Sequence, residues 1–315
     1  MDRRRTFAAL ALALAAGAAA APAPVLRELR WITPTLPRAE VVGVLTTAPG
    51  ECLTPPADAA TRAQVAVGRA MFSAPLLLGG QAARAGLSCA ACHRGGRGNP
   101  HFVFPGVSGA PGTADVTSSL FSSRRGDGVA NPRPIPDLAG DPPRVSRAPG
   151  DPALRQFIRG LIVEEFDGLE PPPRILDGLV AYVRALGPAC NGSVARDLAS
   201  DAESVDAAAA AAGSAVAEGD IASAHLLLAA ARSALGRIDE RFAGNADSRR
   251  RLARRDAGLR QLQALAASDA RAAQAGVARW RGDFQGDLKS LRAGEPASLY
   301  APAVLGRHLT PTAVR

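Results

Sequence analysis

The chain of 315 residues contains a single lysine, Lys289, and only two methionines, four histidines and four cysteines. Aromatic residues make up 4% of it, so a core has to be built from Ala, Leu and Val rather than from large rings. Past the N-terminus no segment approaches the roughly 20 uninterrupted apolar residues of a membrane-spanning helix, which excludes a multi-pass membrane protein. Hydrophobic residues at 47% and charged residues at 21% are ordinary globular usage and exclude wholesale disorder. With lysine nearly absent, arginine carries the formal charge of +8, a field that favours acidic partners or anionic surfaces.

The length predicts two domains. Most of the proline lies before Pro188, whereas long Ala-rich stretches begin at Val194. That shift divides the chain into a loop-rich first part and a helical second part. The first residues read as an export signal over 1–20. Asp2-Arg3-Arg4-Arg5 is the charged start, 6–16 the apolar stretch and Ala18-Ala19-Ala20 the cleavage site. Arg4-Arg5-Thr6-Phe7 also partly matches a twin-arginine signal. Cleavage near Ala21 lowers the charge to about +6 and places the mature chain in a periplasmic or other extracytoplasmic, oxidising compartment.

The strongest signal is Cys89-Ala90-Ala91-Cys92-His93, the attachment sequence of a c-type haem. At this composition chance would produce it on the order of 10⁻³ times per chain. Two thiols three residues apart on one helical turn can add to the two vinyl groups of haem, and the next imidazole is then held beneath the iron. A thioredoxin-like dithiol wants a βαβ context and a zinc site wants a second ligand pair; neither is present. The motif therefore predicts one haem c, with Cys89 and Cys92 as thioether residues and His93 as proximal ligand.

Around the motif the organisation also looks like a cytochrome c domain. A helix is expected over Ala59–Phe72 and another over 175–186, the latter with Leu176, Leu179, Val180, Val183 and Leu186 as an apolar stripe. Between them, 94–152 is rich in Gly, Pro, Ser and Arg, and a loop of that length is expected to wrap something large. The predicted fold is all-α. A segment at 21–57, read as extended, precedes a cytochrome c-like haem domain at 58–190 with long irregular loops. An antiparallel helical bundle at 194–293 and a C-terminal tail at 294–315 follow. Within the bundle Asp220 is a plausible N-cap. Ala224, Leu228, Ala231, Leu235, Ile238 and Phe242 form one seam, and Val277, Trp280, Phe284, Leu288 and Leu291 another. Breaks are expected at Gly219-Asp220, Gly244-Asn245 and Ala275-Gly276. Ser, His and Asp occur there without motif context, so no catalytic constellation is read in the bundle.

The pieces Gly68-Arg69-Ala70-Met71-Phe72, Pro75-Leu76-Leu77-Leu78-Gly79-Gly80 and Leu87-Ser88-Cys89-Ala90-Ala91-Cys92-His93 resemble the bacterial di-haem cytochrome c peroxidase and methylamine-utilisation (MauG-like) superfamily. So do Gly112-Thr113-Ala114-Asp115 with the residues up to Phe121, and 157–166 followed by Leu179-Val180-Ala181-Tyr182. The similarity covers 61–188. In that family one haem reacts with peroxide at an open iron face and a second delivers electrons. Only one attachment motif stands in this chain, so the resemblance carries over Cys89, Cys92 and His93 but no second haem.

No methionine follows His93, although many electron-transfer cytochromes c complete the iron with a downstream Met. The candidates for the sixth position are Met71, which also suits a core thioether, and His101, which also suits a loop surface. His225 reads as a partly buried histidine of the bundle and His308 as part of the tail. Cys52 and Cys190, left over by the motif, are expected to pair in an oxidising compartment, a bond that contributes roughly 5 kcal/mol at most by chain entropy. The run Arg249-Arg250-Arg251 with Arg254-Arg255 suits a solvated face, an acidic redox partner or an anionic membrane surface; nucleic acid is not expected. Three functions follow as expectations: an exported mono-haem electron carrier, a haem peroxidase or oxidase, and a non-enzymatic haem sensor or scaffold.

Overall fold

Residues 26–117, 120–188 and 192–309 are described by a computed structural model. The export signal expected at 1–20 and Cys190 lie outside them. The described chain is mostly helical, as an all-α sequence should be. Its strands are limited to two short antiparallel ribbons.

Helix α1 (Arg38–Thr46) leads into strand β1 (Thr47–Pro49), and α2 (Ala59–Phe72) follows with its first turn capped by Asp58, whose carboxylate accepts the Thr61 N–H at 2.7 Å. Short α3 (Gly80–Ala85) and one-turn α4 (Cys89–Cys92) precede the irregular segment, in which β2 (Thr113–Ala114) pairs with β3 (Arg133–Pro134). Helix α5 (Ala153–Gly160) continues into a π-helical turn, Leu161–Glu165, and α6 (Pro173–Ala185) closes this half. Helices α2 and α6 cross where two glycines meet. A Cβ on Gly68 would stand 1.9 Å from the Gly178 carbonyl oxygen, so the close approach requires the bare backbone.

Strand β4 (Ser193–Ala195) pairs with β1, and four long antiparallel helices follow. They are α7 (Leu198–Ala217), α8 (Ile221–Arg241), α9 (Ala246–Ser268) and α10 (Ala270–Gly294). Each starts at a side-chain cap: Asp197, Asp220, Asn245 and Asp269 accept an N–H three residues on. Both seams expected from sequence are buried along their whole length. The break expected at Ala275-Gly276 is corrected: α10 runs through it and the turn falls at Asp269. Gly276 instead makes room for Leu262, whose Cδ2 lies 2.5 Å from where a Cβ would be, and so lets α9 approach.

The two halves share one core. Val65, Met71, Ile175 and Leu179 belong to the same buried cluster as Leu198, Val205, Leu227 and Phe284. The ends of the chain also depart from expectation. The segment expected to be extended carries a 3-10 turn (Arg27–Trp31) and α1, and the expected tail carries α11 (Pro302–His308). Val41 and Leu45 meet Leu299 and Leu305 in a small second core, an apolar pairing that neither stretch reveals alone. Arg241, buried at the end of α8, locks this corner by donating to the carbonyls of Leu45 (2.6 Å) and Leu299 (3.0 Å). Beside it Glu28 pairs with Arg196 at 2.5 Å. Burial pushes the Glu28 carboxyl up, but the Arg196 guanidinium outweighs burial and holds it at about 2.

Two outcomes are expected. Gly68→Ala should cost about 3 kcal/mol of unfolding free energy in urea titration, while Gly282→Ala, in open space on the exposed face of α10, should gain about 0.5–1 kcal/mol. Because the folded Glu28 carboxyl lies below its ordinary range, its contribution is present above that range and is lost as pH falls toward about 2. The wild type should therefore lose more stability than Glu28→Gln between about pH 5 and pH 2; equal losses would refute the pairing.

Candidate cofactor-binding site

The attachment motif sits on one helical turn because the His93 N–H bonds back to the Cys89 carbonyl at 2.8 Å, after which the backbone leaves the helix. Buried Asn99 fixes that turn by donating to the Ala91 carbonyl at 2.9 Å. The two residues that follow reach the N-terminal segment. Arg94 donates to the carbonyls of Val44 and Thr47 at 2.5 and 2.6 Å. Arg97, 7% exposed, donates to the carbonyls of Glu51 at 3.1 Å and Gly187 at 2.9 Å and pairs with Asp137 at 3.1 Å.

Asp137 belongs to the far end of the irregular segment, and its anchoring positions the residue before it. The Pro136 carbonyl accepts a hydrogen bond from His93 Nδ1 at 3.1 Å. A carbonyl cannot donate, so Nδ1 carries the proton and the lone pair is left on Nε2. Burial lowers the imidazole pKa to about 4, so the ring is neutral near neutral pH, the form that ligates metal. Burial likewise pushes the Cys89 and Cys92 thiols up to about 11 and about 12, and both are free.

All three residues line one cavity of about 450 Å³, within the range of about 300–1,000 Å³ usual for ligand pockets. Phe72, Leu179 and Val183 come to it from α2 and α6, and Phe102, Phe121 and Phe166 from the segments that close over it. Phe121 packs 5.3 Å from Phe104 and 5.4 Å from Phe166 between ring centroids. The polar residues of the cavity wall include Asp115, Asn131, Arg125, Asp137 and Glu165, with exposed Arg133 and Arg144 also lining it. Asp115 accepts from Thr117 Oγ1 at 2.8 Å and from the Asn131 N–H at 3.0 Å. Glu165 is buried, with Oε1 3.5 Å from Arg125 and Oε2 without a hydrogen-bond partner among the described residues.

The donor set and the shape fit a haem: two thiols and a neutral imidazole on one turn, facing a mainly apolar volume. The zinc alternative lacks a donor set, since no group of three or more His, Cys, Asp or Glu among the described residues could hold a metal ion.

The two candidates for a sixth ligand are placed elsewhere. Met71 is buried in the shared core, one residue before Phe72, and does not line the cavity. His101 turns its backbone to Thr33, whose N–H and Oγ1 both donate to its carbonyl, and its side chain is also absent from the cavity wall. His225 Nε2 is buried without a partner in the bundle, and His308 ends α11. Cys52 is disulfide-bonded, and its carbonyl accepts the Gly187 N–H at 3.0 Å; Cys190, its expected partner, is outside the described residues. Four of the five arginines in the basic run are paired within the protein, Arg249, Arg250, Arg251 and Arg255 with Asp239, Asp247, Asp287 and Asp283. Sequence reasoning missed Arg97, Pro136 and Glu165. A Glu-Glu pair closing the apolar stretch 157–166 was the one visible sign of the last.

No family model matches the chain, and no curated protein or solved structure matches it.

Replacing Arg97 by Gln should leave Asp137 and two carbonyls without their guanidinium. The expected cost is about 3 kcal/mol in urea unfolding, and a change under 1 kcal/mol would show that the segment is held by other contacts.

Proposed function

We propose that the chain is a mono-haem c-type cytochrome acting in electron transfer outside the cytoplasm. Cys89 and Cys92 carry the thioether bonds and His93 is the proximal ligand. One observation carries the reading: the two thiols and an imidazole with its Nε2 lone pair free share the wall of one mainly apolar cavity. When bound, haem would supply a one-electron iron centre. The protein's own residues do the rest. The α4 turn spaces the sulfurs, the Pro136 carbonyl orients the imidazole, and the phenylalanine walls exclude water. Exposed Arg133 and Arg144 at the cavity suit the haem carboxylates and an acidic redox partner, whereas the run on α9 is largely neutralised by its own carboxylates. A cytochrome c-like unit over 58–190, related to the di-haem peroxidase and MauG-like superfamily, belongs to the same reading, as do export and the Cys52–Cys190 bond.

A second reading, small-molecule or peroxide chemistry at an open iron face, has one observation in its favour. Apart from His93, neither a histidine nor a methionine is among the described residues that line the cavity.

Protein made in cells that assemble c-type cytochromes should keep its colour with the polypeptide through denaturation and acid-acetone extraction. Colour that extracts refutes covalent attachment. The double change Cys89→Ala, Cys92→Ala should abolish attachment, whereas His93→Ala should keep the haem through sulfur with an altered spectrum. The ferrous protein should bind carbon monoxide, and Met71→Leu should leave its spectrum unchanged; a methionine-dependent charge-transfer band would overturn the second reading.

A further inference from the structure

Glu165 occupies a position where a carboxylate is costly. It ends the π-helical turn Leu161–Glu165, a local departure from α-helix that recurs at functional sites, and only 8% of it is exposed. Its Oε2 has no hydrogen-bond partner among the described residues, and its one cation, Arg125, stands 3.5 Å from Oε1 while donating more closely to Glu164 at 2.8 Å. A buried carboxylate held this loosely costs free energy unless something else offsets its charge. It lines the same cavity as His93.

Resting on the haem reading above, we infer that Glu165 is the group that takes up a proton when this site takes up an electron. With haem bound, the Glu165 carboxylate would be favoured by the extra positive charge of the ferric state; on one-electron reduction by a redox partner that charge would be lost, and Glu165 would take a proton from solvent to become the neutral acid. One electron and one proton enter together, and each favours the entry of the other. The charged groups facing Glu165 are Arg125 and Asp115 from the irregular segment and Glu164 on its own turn; Arg133, Arg144, Arg147, Asp137 and His93 line the same cavity. Burial raises the Glu165 carboxyl above the ordinary carboxylate range, Arg125 lowers it, and Glu164 and Asp115 raise it further.

Spectroelectrochemical titration of the haem-loaded protein across about pH 4–8 tests this, with haem content measured on each sample as the pyridine haemochrome. The wild-type midpoint should fall with rising pH, by up to about 59 mV per pH unit through one window. Glu165→Gln should be flat in that window. Arg125→Gln, which removes the opposing cation, should move the window to higher pH and supplies the test if Glu165→Gln fails to fold by circular dichroism. A wild-type midpoint independent of pH, a Glu165→Gln variant that keeps the slope, or an unmoved window in Arg125→Gln overturns the inference while leaving the haem reading intact. Protein without covalent haem overturns the reading itself, and the inference with it.

Discussion

The guanidinium of Arg97 is the contact on which the pocket depends. It stands four residues past His93 and reaches three parts of the chain that are far apart in sequence: Glu51 beside the disulfide-bonded cysteine, Asp137 at the end of the irregular segment, and Gly187 after α6. A buried guanidinium is tolerated only where its donors are satisfied, and among the groups that satisfy it the Asp137 carboxylate belongs to a residue that lines the cavity. Orientation of the imidazole follows, because Pro136 is carried into place by its neighbour Asp137. The pocket is thus closed by polar contacts around a rim and filled by apolar ones within.

The four-helix half supplies rigidity to the same site. Helices α2 and α6 show one face to the cavity through Phe72, Leu179 and Val183; α2 also packs against α7 and α8, and α6 packs against α2. Their contact through Gly68 and Gly178 leaves little freedom to slide, since close-packed interiors do not deform continuously. A loop-rich wall on one side and a fixed helical wall on the other is the division of labour expected of a binding site on a scaffold.

What could be read from the amino acids follows the range of the forces involved. The motif at 89–93, the bounds of α2, the cap at Asp220 and both seams of the bundle depend on residues within a turn or two of one another, and their periodicity is written locally. Gly276 misled because a glycine that breaks a helix and one that admits a neighbouring side chain are the same letter; only Leu262, across the interface, distinguishes them. The meeting of α1 with α11 was invisible for the same reason, and so were the sixth-position candidates. Met71 and His101 are near the motif in sequence, but the faces they occupy are set by Tyr182, Thr33 and the shared core. Glu165 was legible only as an odd charge in an apolar stretch.

The placement of the two thiols has a consequence for the order in which the molecule is made. Cys89 and Cys92 are free and half-buried, with their thiols pushed up by burial, and a segment of some sixty residues follows them. A planar group as large as haem would reach those sulfurs more readily before Arg97 gathers Glu51, Asp137 and Gly187. On the proposed reading, bond formation would precede closure, with the nascent chain modified while 94–152 is still open. The irregular wall would then be laid down around a cargo already in place, and folding would be the step that closes over it.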